Sequence, residues 1–363
     1  MVELIAQICL ILSALAALFA VFNFFTLTSA KAARANSISK KVAILIPFRN
    51  EIKNVQASLA SARSQNLLTQ YKIYALDDFS SDGTYKIINN ETGIIKVTAQ
   101  ELPQGWLGKL WASWQLAQKA EQDFQPDYLV FLDADVRLNQ NAIAAAITEK
   151  PSWDFISPYP KQLTRGFIPF IFQPLLQWSW LSSIPLAIAH RFKIKSMIVA
   201  NGQFLIVKKP AYFAVDGHRS VKNQVLDDLQ LARKLTAASY LGGVINGSKI
   251  SSCLMYESTA DLFSGYRKSL WAGFGGIIGS LVAFLILFIT GVLNFIYFAT
   301  NLFFTYSVIF ILISRLLATL KTGGDFRSVI FHPLAILTLL YLFITSWIGK
   351  IQGTLTWRDR KLI

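Results

Sequence analysis

The sequence predicts an α/β domain built on an open, mostly parallel sheet, with membrane-spanning helices at its N- and C-terminal sides. Three observations carry this. Long uncharged apolar runs lie toward the two ends of the chain. The middle alternates short apolar runs with stretches of helical periodicity. Those apolar runs stop at prolines or aspartates, and an open parallel sheet presents its ligands at the carboxyl ends of its strands.

The first element is Ile5 to Leu27, an uninterrupted apolar segment. About 20 residues of helix cross a hydrocarbon core. The segment is too long for a signal-peptide core and no basic stretch precedes it, so it reads as an anchor within residues 1–30. Lys31, Arg34, Lys40 and Lys41 follow, and the positive-inside rule then puts the domain of residues 31–270 in the cytosol.

Within that domain, Val42–Pro47 (VAILIP), Lys72–Asp77 (KIYALD) and Tyr128–Asp133 (YLVFLD) are continuous apolar runs, as expected of strands covered on both faces. Glu51–Gln65 carries Ile52, Val55, Leu59 and Ala62 at helical spacing, and Leu107–Ala120 carries Leu110, Trp111, Trp114 and Ala117 likewise. Asn223–Leu235 has a stripe of Val225, Leu229, Ala232 and Leu235, with Asp227 and Asp228 near the helix start.

Gly166–Ala189 is mostly apolar but holds Pro169, Pro174 and Pro185. A span there would put Asp133 and Asp135 across the bilayer from Asp228. An interfacial helix over residues 166–190 or a re-entrant segment avoids this, and a buried core helix is the plain alternative. Trp271–Leu320, in which only Arg315 is charged, is expected to fold as two spans with a turn near Gly291–Asn301. Val329–Ile348 is a further candidate, which assigns residues 271–349 to membrane helices. One anchor plus three spans puts the tail of residues 350–363 outside, whereas Lys350, Arg358, Arg360 and Lys361 argue for inside.

Composition bounds the function. The chain has 363 residues, of which 53% are hydrophobic, and a mean hydropathy of +0.42. The net charge of +14 suits anionic lipid, topology or an anionic substrate. No nucleic-acid-binding signature accompanies it, so nucleic acid is not an expected partner. His190, His218 and His332 are too scattered for a zinc site, and Cys9 and Cys253 give no disulfide framework.

Five clusters carry the candidate chemistry. Asp133-Ala134-Asp135 follows a strand and could hold Mg²⁺ or Mn²⁺, hard cations that take one or two carboxylates plus substrate phosphates. Asp77 to Thr84 (DDFSSDGT) brings acids and a helix cap to the end of another strand. Pro47-Phe48-Arg49-Asn50-Glu51 opens a helix whose backbone N–H groups favour a phosphate or ring carbonyl. Gly105-Trp106-Leu107-Gly108-Lys109 makes a tight turn that offers a cation for a diphosphate. Asp227-Asp228 could supply a general base. Each alone also suits an ordinary capping or solvated loop; their order and spacing carry the argument.

From Val42 to about Trp271 these motifs resemble, in order, family 2 glycosyltransferases of the GT-A fold, a Rossmann-like, mostly parallel architecture. GWLGKLWASWQLA, FLDADVRL, VKKPAYFAVDGH, FHPL and TLTWRDRKL are more narrowly similar to membrane carotenoid glycosyltransferases of the diaponeurosporenoate type. The resemblance implies donor-binding roles for Pro47, Arg49, Glu51, Asp78, Lys109 and Asp133. It implies metal ligation by Asp135 with Asp133, a base at Asp228, and an acceptor side at Gly217, His218 and Trp271. Three departures stand out: Asp227 for the usual Glu, Asp216 for the first Gly of Gly-Gly-His, and Leu270 where processive synthases keep a second Arg.

The implied reaction is inverting transfer of one sugar from a nucleotide-sugar, expected to be a UDP-sugar, to an apolar membrane lipid, with a divalent metal. The expected location is the cytoplasmic membrane, multi-pass, with a cytosolic catalytic domain. A processive polysaccharide synthase and an inactive membrane scaffold are the alternatives.

Overall fold

The computed structural model describes residues 2–357 and 360–361, so Arg358 of the basic tail lies outside the described residues. The chain divides into two compact units. One comprises Thr28–Lys161 and Ala189–Leu254; the other comprises Met1–Leu27, Gln162–Ile188 and Met255–Leu362.

The first unit is built on a sheet of seven strands: β1 (Ile38–Phe48), β2 (Leu68–Asp77), β3 (Ile95–Val97), β4 (Tyr128–Leu132), β6 (Phe155–Tyr159), β8 (Phe204–Lys208) and β9 (Gly242–Asn246). Their order is β3-β2-β1-β4-β8-β6-β9. The pairs β2/β3, β1/β2, β1/β4 and β6/β9 are parallel, and β8 runs antiparallel to both β4 and β6. Val42 to Ile46 are fully buried, as the VAILIP run requires of a central strand with both faces covered. Beside this sheet, β5 (Val136–Leu138) pairs antiparallel with β10 (Ser251–Cys253); β7 is the two-residue strand Lys161–Gln162.

One side of the sheet is covered by the helix Gly108–Phe124, which buries Leu110, Trp114, Leu116, Ala117 and Ala120. The helix expected from Glu51 begins only at Val55. The preceding residues are held elsewhere: Glu51 N–H donates to Thr84 Oγ1 at 2.8 Å and Ile52 N–H to Asp82 Oδ2 at 3.0 Å.

Among its described residues the second unit contains four helices long and apolar enough to cross a membrane: Val2–Thr26, Ile277–Ile296, Leu302–Thr322 and Phe326–Ile351. The Ser13 and Ser307 hydroxyls meet at 2.6 Å between the first and third of these. Asn23 Nδ2 donates to Leu181 O and Ile184 O at 2.8 and 2.7 Å, and Asn23 Oδ1 accepts from Leu186 N–H at 3.0 Å. Such side-chain bonds tie apolar helices where burial alone cannot. Residues from Gly166 onward form three short helices, Phe167–Phe172, Pro174–Leu181 and Leu186–Arg191, none of spanning length. Residues 162–188 cluster with the long apolar helices rather than with the sheet.

Candidate active site

The site of the sheet unit forms where β1, β2 and β4 end. Parallel pairing sets Phe48 opposite Asp77, so the loops after β1 and β2 leave side by side. They then lock together. Asp78 N–H donates to Phe48 O at 2.8 Å, Asn50 N–H to Ser80 Oγ at 2.9 Å, and Ser81 N–H to Asn50 Oδ1 at 2.9 Å. Arg49 Nη1 donates to Asp78 O at 2.5 Å and lies 3.8 Å from Asp78 Oδ2. Asn50 and Phe79 take left-handed backbone, with φ of 51° and 54°. Asn tolerates this region, whereas an aromatic residue is strained there. Glu51 Oε2 accepts from Asn54 Nδ2 at 2.7 Å, and Asn54 Oδ1 accepts from Arg137 Nη2 at 2.6 Å.

The β4 end presents the acids expected there. Asp133 binds Lys109 through both oxygens, at 2.7 Å from Oδ1 and 2.9 Å from Oδ2. Burial pulls the Lys109 ammonium down, but Asp133, Asp227 and Asp228 outweigh it and hold Lys109 above the usual lysine range. Asp135 differs. Burial, then the charges of Asp133 and Glu51, push its carboxyl well above the usual range, against the opposing influence of Lys109 and a hydrogen bond from Cys253. Asp135 Oδ1 is buried without a hydrogen-bond partner.

A divalent cation fits this chemistry. It would find hard oxygen donors on Asp135 and Asp133, and it would relieve both the orphaned oxygen and the repulsion between the acids. Among the described residues no three His, Cys, Asp or Glu side chains group as a metal site. A cation held there would take two carboxylates from the protein and its remaining ligands from other oxygen donors, as Mg²⁺ or Mn²⁺ shared with a phosphate can.

Asp228 sits in the first turn of the helix Asp227–Ala237. Its Oδ1 accepts from Leu229 N–H and its Oδ2 from Gly202 N–H, both at 2.7 Å. Gly202 precedes β8, whose register places Phe204 opposite Leu132 and so brings this turn beside the β4 end. A Cβ at Gly202 would lie 3.2 Å from Asp228 Cβ and 3.5 Å from Lys109 Nζ. Burial and the neighbouring Asp227 raise the Asp228 pKa to about 6, against the two backbone bonds and Lys109. It is therefore ionised at neutral pH, yet more basic than an ordinary aspartate.

His218 is buried against Phe131, with ring centroids 4.7 Å apart. The Tyr212 hydroxyl accepts from His218 N–H at 3.2 Å and lies 2.9 Å from His218 Nδ1. The hydroxyl proton is best satisfied on Nδ1, which leaves the imidazole proton on Nε2. Burial and the Lys109 charge lower the His218 pKa to about 3, so the ring is neutral. Asp216, standing where the family motif has glycine, adopts φ 57°, which aspartate tolerates. Gly217 has no such latitude: a Cβ there would come within 2.1 Å of Tyr212 Cζ.

Pro47, Lys109, Asp133, Gly202, His218 and Asp228 line one cleft. Arg49, Glu51, Asp78 and Asp135 stand at the same strand ends. Trp271 belongs to the other unit, where Trp271 N–H donates to Ser346 Oγ at 3.0 Å and Lys350 Nζ lies 4.2 Å from the ring centroid. Gly202, Tyr212 and Arg137 were not expected. An Asn-Gly pair before a strand is the only sequence sign of Gly202, and nothing local marks the other two.

Residues 43–184 match the model of glycosyl transferase family 2. Within that stretch the chain carries a family 2 glycosyltransferase domain. Its relatives include a 4,4'-diaponeurosporenoate glycosyltransferase of Staphylococcus haemolyticus, 26% identical over 278 residues, which span 73% of this chain and 70% of that one. The Staphylococcus aureus enzyme of that name is 22% identical over 358 residues, 91% of this chain and 90% of that one. A Pyrobaculum calidifontis mannosyltransferase, solved with GDP-Man and Mn²⁺, superposes with a TM-score of 0.50 at 12% identity, covering 96% of this chain and 99% of that one. The transferase thus has the GT-A fold, and its four long apolar helices make it a membrane protein.

Proposed function

We propose that this glycosyltransferase moves one sugar from a nucleotide-sugar, a UDP-sugar in the simplest reading, to an apolar acceptor in the membrane such as a carotenoid or related terpenoid. The observation that carries the reading is the cleft shared by Lys109, Asp133 and Asp228, an ion-paired lysine facing a raised, backbone-anchored carboxylate. The first two suit a diphosphate and its ribose or sugar, and the third suits an attacking hydroxyl. Relatives that act, by name, on a carotenoid acid support the acceptor class.

The roles proposed for the residues combine the family resemblance with this geometry. The locked loops of Pro47, Arg49, Glu51 and Asp78 hold the nucleoside. Asp228 takes the proton of the acceptor hydroxyl as that oxygen attacks the anomeric carbon from the face opposite the leaving group, so the configuration inverts. If the acceptor is a carboxylate, no proton needs removing and Asp228 orients it instead. Lys109 neutralises charge on the departing nucleoside diphosphate. A divalent cation held by Asp135 and Asp133 would supply further positive charge for that group. His218, neutral and with its proton on Nε2, offers a donor on the acceptor side, above the turn that Gly217 permits. The four apolar helices support a multi-pass protein, and the basic residues after the first helix favour a catalytic unit on the cytosolic face of the cytoplasmic membrane.

The test is incubation of membranes containing the protein with a panel of labelled nucleotide-sugars, followed by solvent extraction and mass spectrometry. Label is expected in one lipid product carrying one sugar. A water-soluble product refutes the lipid acceptor, and a polymer refutes single transfer.

A further inference from the structure

The membrane unit contains a cation that the sugar-transfer chemistry does not use. Arg315, within the helix Leu302–Thr322, is completely buried. Its Nη2 donates to Ile171 O at 3.3 Å, while Nε and Nη1 have no hydrogen-bond partner. Among the described residues no ion pair involves it. The apolar segments Ile5–Leu27, Gly166–Arg191, Trp271–Thr322 and Phe326–Ile351 contain no Asp or Glu. A guanidinium enclosed without an anion is costly, and ionisable groups at membrane depth are usually paired or functional.

The neighbours of Arg315 are also incomplete. The guanidinium lies 6.0 Å from the Trp178 ring centroid, and the His332 ring lies 5.0 Å from the same indole. His332, of the FHPL motif, is fully buried with both ring nitrogens unpartnered. Phe295 approaches His332 at 5.9 Å and follows Asn294, whose Oδ1 is unpartnered as well. Asn294 directly follows a π-helical turn, Ile289–Leu293, a distortion that recurs at functional sites. A cation and an imidazole thus meet around one indole, and Phe295, which follows the locally widened turn, reaches that imidazole.

We propose that Arg315, with His332, forms a binding site inside the membrane unit for the anionic head of an apolar-chain lipid. The shared ligand chemistry is an anionic oxygen group, either the carboxylate of an acidic amphiphile or the phosphate of a bilayer lipid. The guanidinium supplies the charge and a two-pronged donor set, and the His332 ring supplies a further donor.

The proposal is independent of the sugar-transfer reading, and its assay contains no nucleotide-sugar, so either can fail alone. The full chain is reconstituted in phosphatidylcholine nanodiscs doped with oleate, oleyl alcohol or phosphatidylglycerol, and its thermal unfolding midpoint is followed against dopant. Oleate or phosphatidylglycerol is expected to raise the midpoint and oleyl alcohol is not. A response to oleate alone assigns a carboxylate; a response to both anions assigns anionic heads generally. Arg315→Met is expected to lower the apparent affinity for the effective anion by about tenfold or more. Should that variant fail to fold, Arg315→Gln is read in its place. Equal responses to oleate and oleyl alcohol, or a neutral variant that responds like the wild type, overturn the proposal.

Discussion

The two units treat buried charge differently. In the sheet unit, the ions named here are met by ions or by backbone. Lys109 binds both oxygens of Asp133, Asp228 takes N–H groups from Gly202 and Leu229, and Asp154 pairs with Lys208 at 3.3 Å. In the membrane unit, Arg315 Nε and Nη1 and both ring nitrogens of His332 are enclosed and unanswered. Asp135 Oδ1 is the counterpart within the catalytic site. Under the two proposals above, the partner each ionic group lacks would be a ligand of opposite charge: a cation beside Asp135, an anion beside Arg315.

The first way to break this comparison is to unmake an answered pair. Lys109→Met leaves Asp133 without its ion partner and removes the cation assigned to the diphosphate. Transfer is expected to fall about a hundredfold, with the fold retained by circular dichroism. A loss below threefold in steady-state assays would show that the pair is structural. Second, Gly217→Ala drives a methyl into the Tyr212 ring and disturbs the hydrogen bonds that orient His218. The cost is expected to be about 1–3 kcal/mol, as for other overpacked cores, and appears as a lowered unfolding midpoint. An unchanged midpoint would mean that the Asp216-Gly217 turn is looser than described.

The third concerns pH. Because burial and Asp227 raise Asp228 to about 6, its basic form is lost as pH falls through that value. Transfer to a hydroxyl acceptor should therefore rise with pH through about 6 and then level. Asp227→Asn removes a like charge, so the acid limb is expected to move to lower pH; a move to higher pH contradicts this electrostatic account. The smallest effect belongs to Phe79. Its ring is 54% exposed and its φ is 54°, so Phe79→Gly relieves strain without emptying a core. A gain of about 1 kcal/mol in stability is expected in denaturant titrations; a loss would show that the ring is anchored.

The strand ends were legible because parallel strands covered on both faces read as unbroken apolar runs, and VAILIP and YLVFLD say where they stop. Their parallel arrangement in a GT-A fold followed, as did four long apolar helices. The later start of the helix at Val55 was not legible. It depends on bonds from Glu51 and Ile52 to residues about a strand and a helix away, which periodicity does not see. Gly202 and Tyr212 escaped for the same reason: the first matters only because β8 runs antiparallel to β4, the second because its ring fills the space that Gly217 leaves open. In Gly166–Ala189 hydropathy suggests a possible span, but Pro174 starts a new short helix and Pro185 lies in the next break, before Leu186.

The central claim is that Asp228 performs the chemistry of sugar transfer in the cleft it shares with Lys109 and Asp133. Its most direct test is Asp228→Asn, assayed in nanodiscs with the nucleotide-sugar identified from the panel and a hydroxyl-bearing lipid acceptor. Turnover is expected to fall by about 10²- to 10⁴-fold, while donor affinity, measured separately by titration, stays within a few-fold of the wild type. Near-normal turnover in that variant would contradict the account.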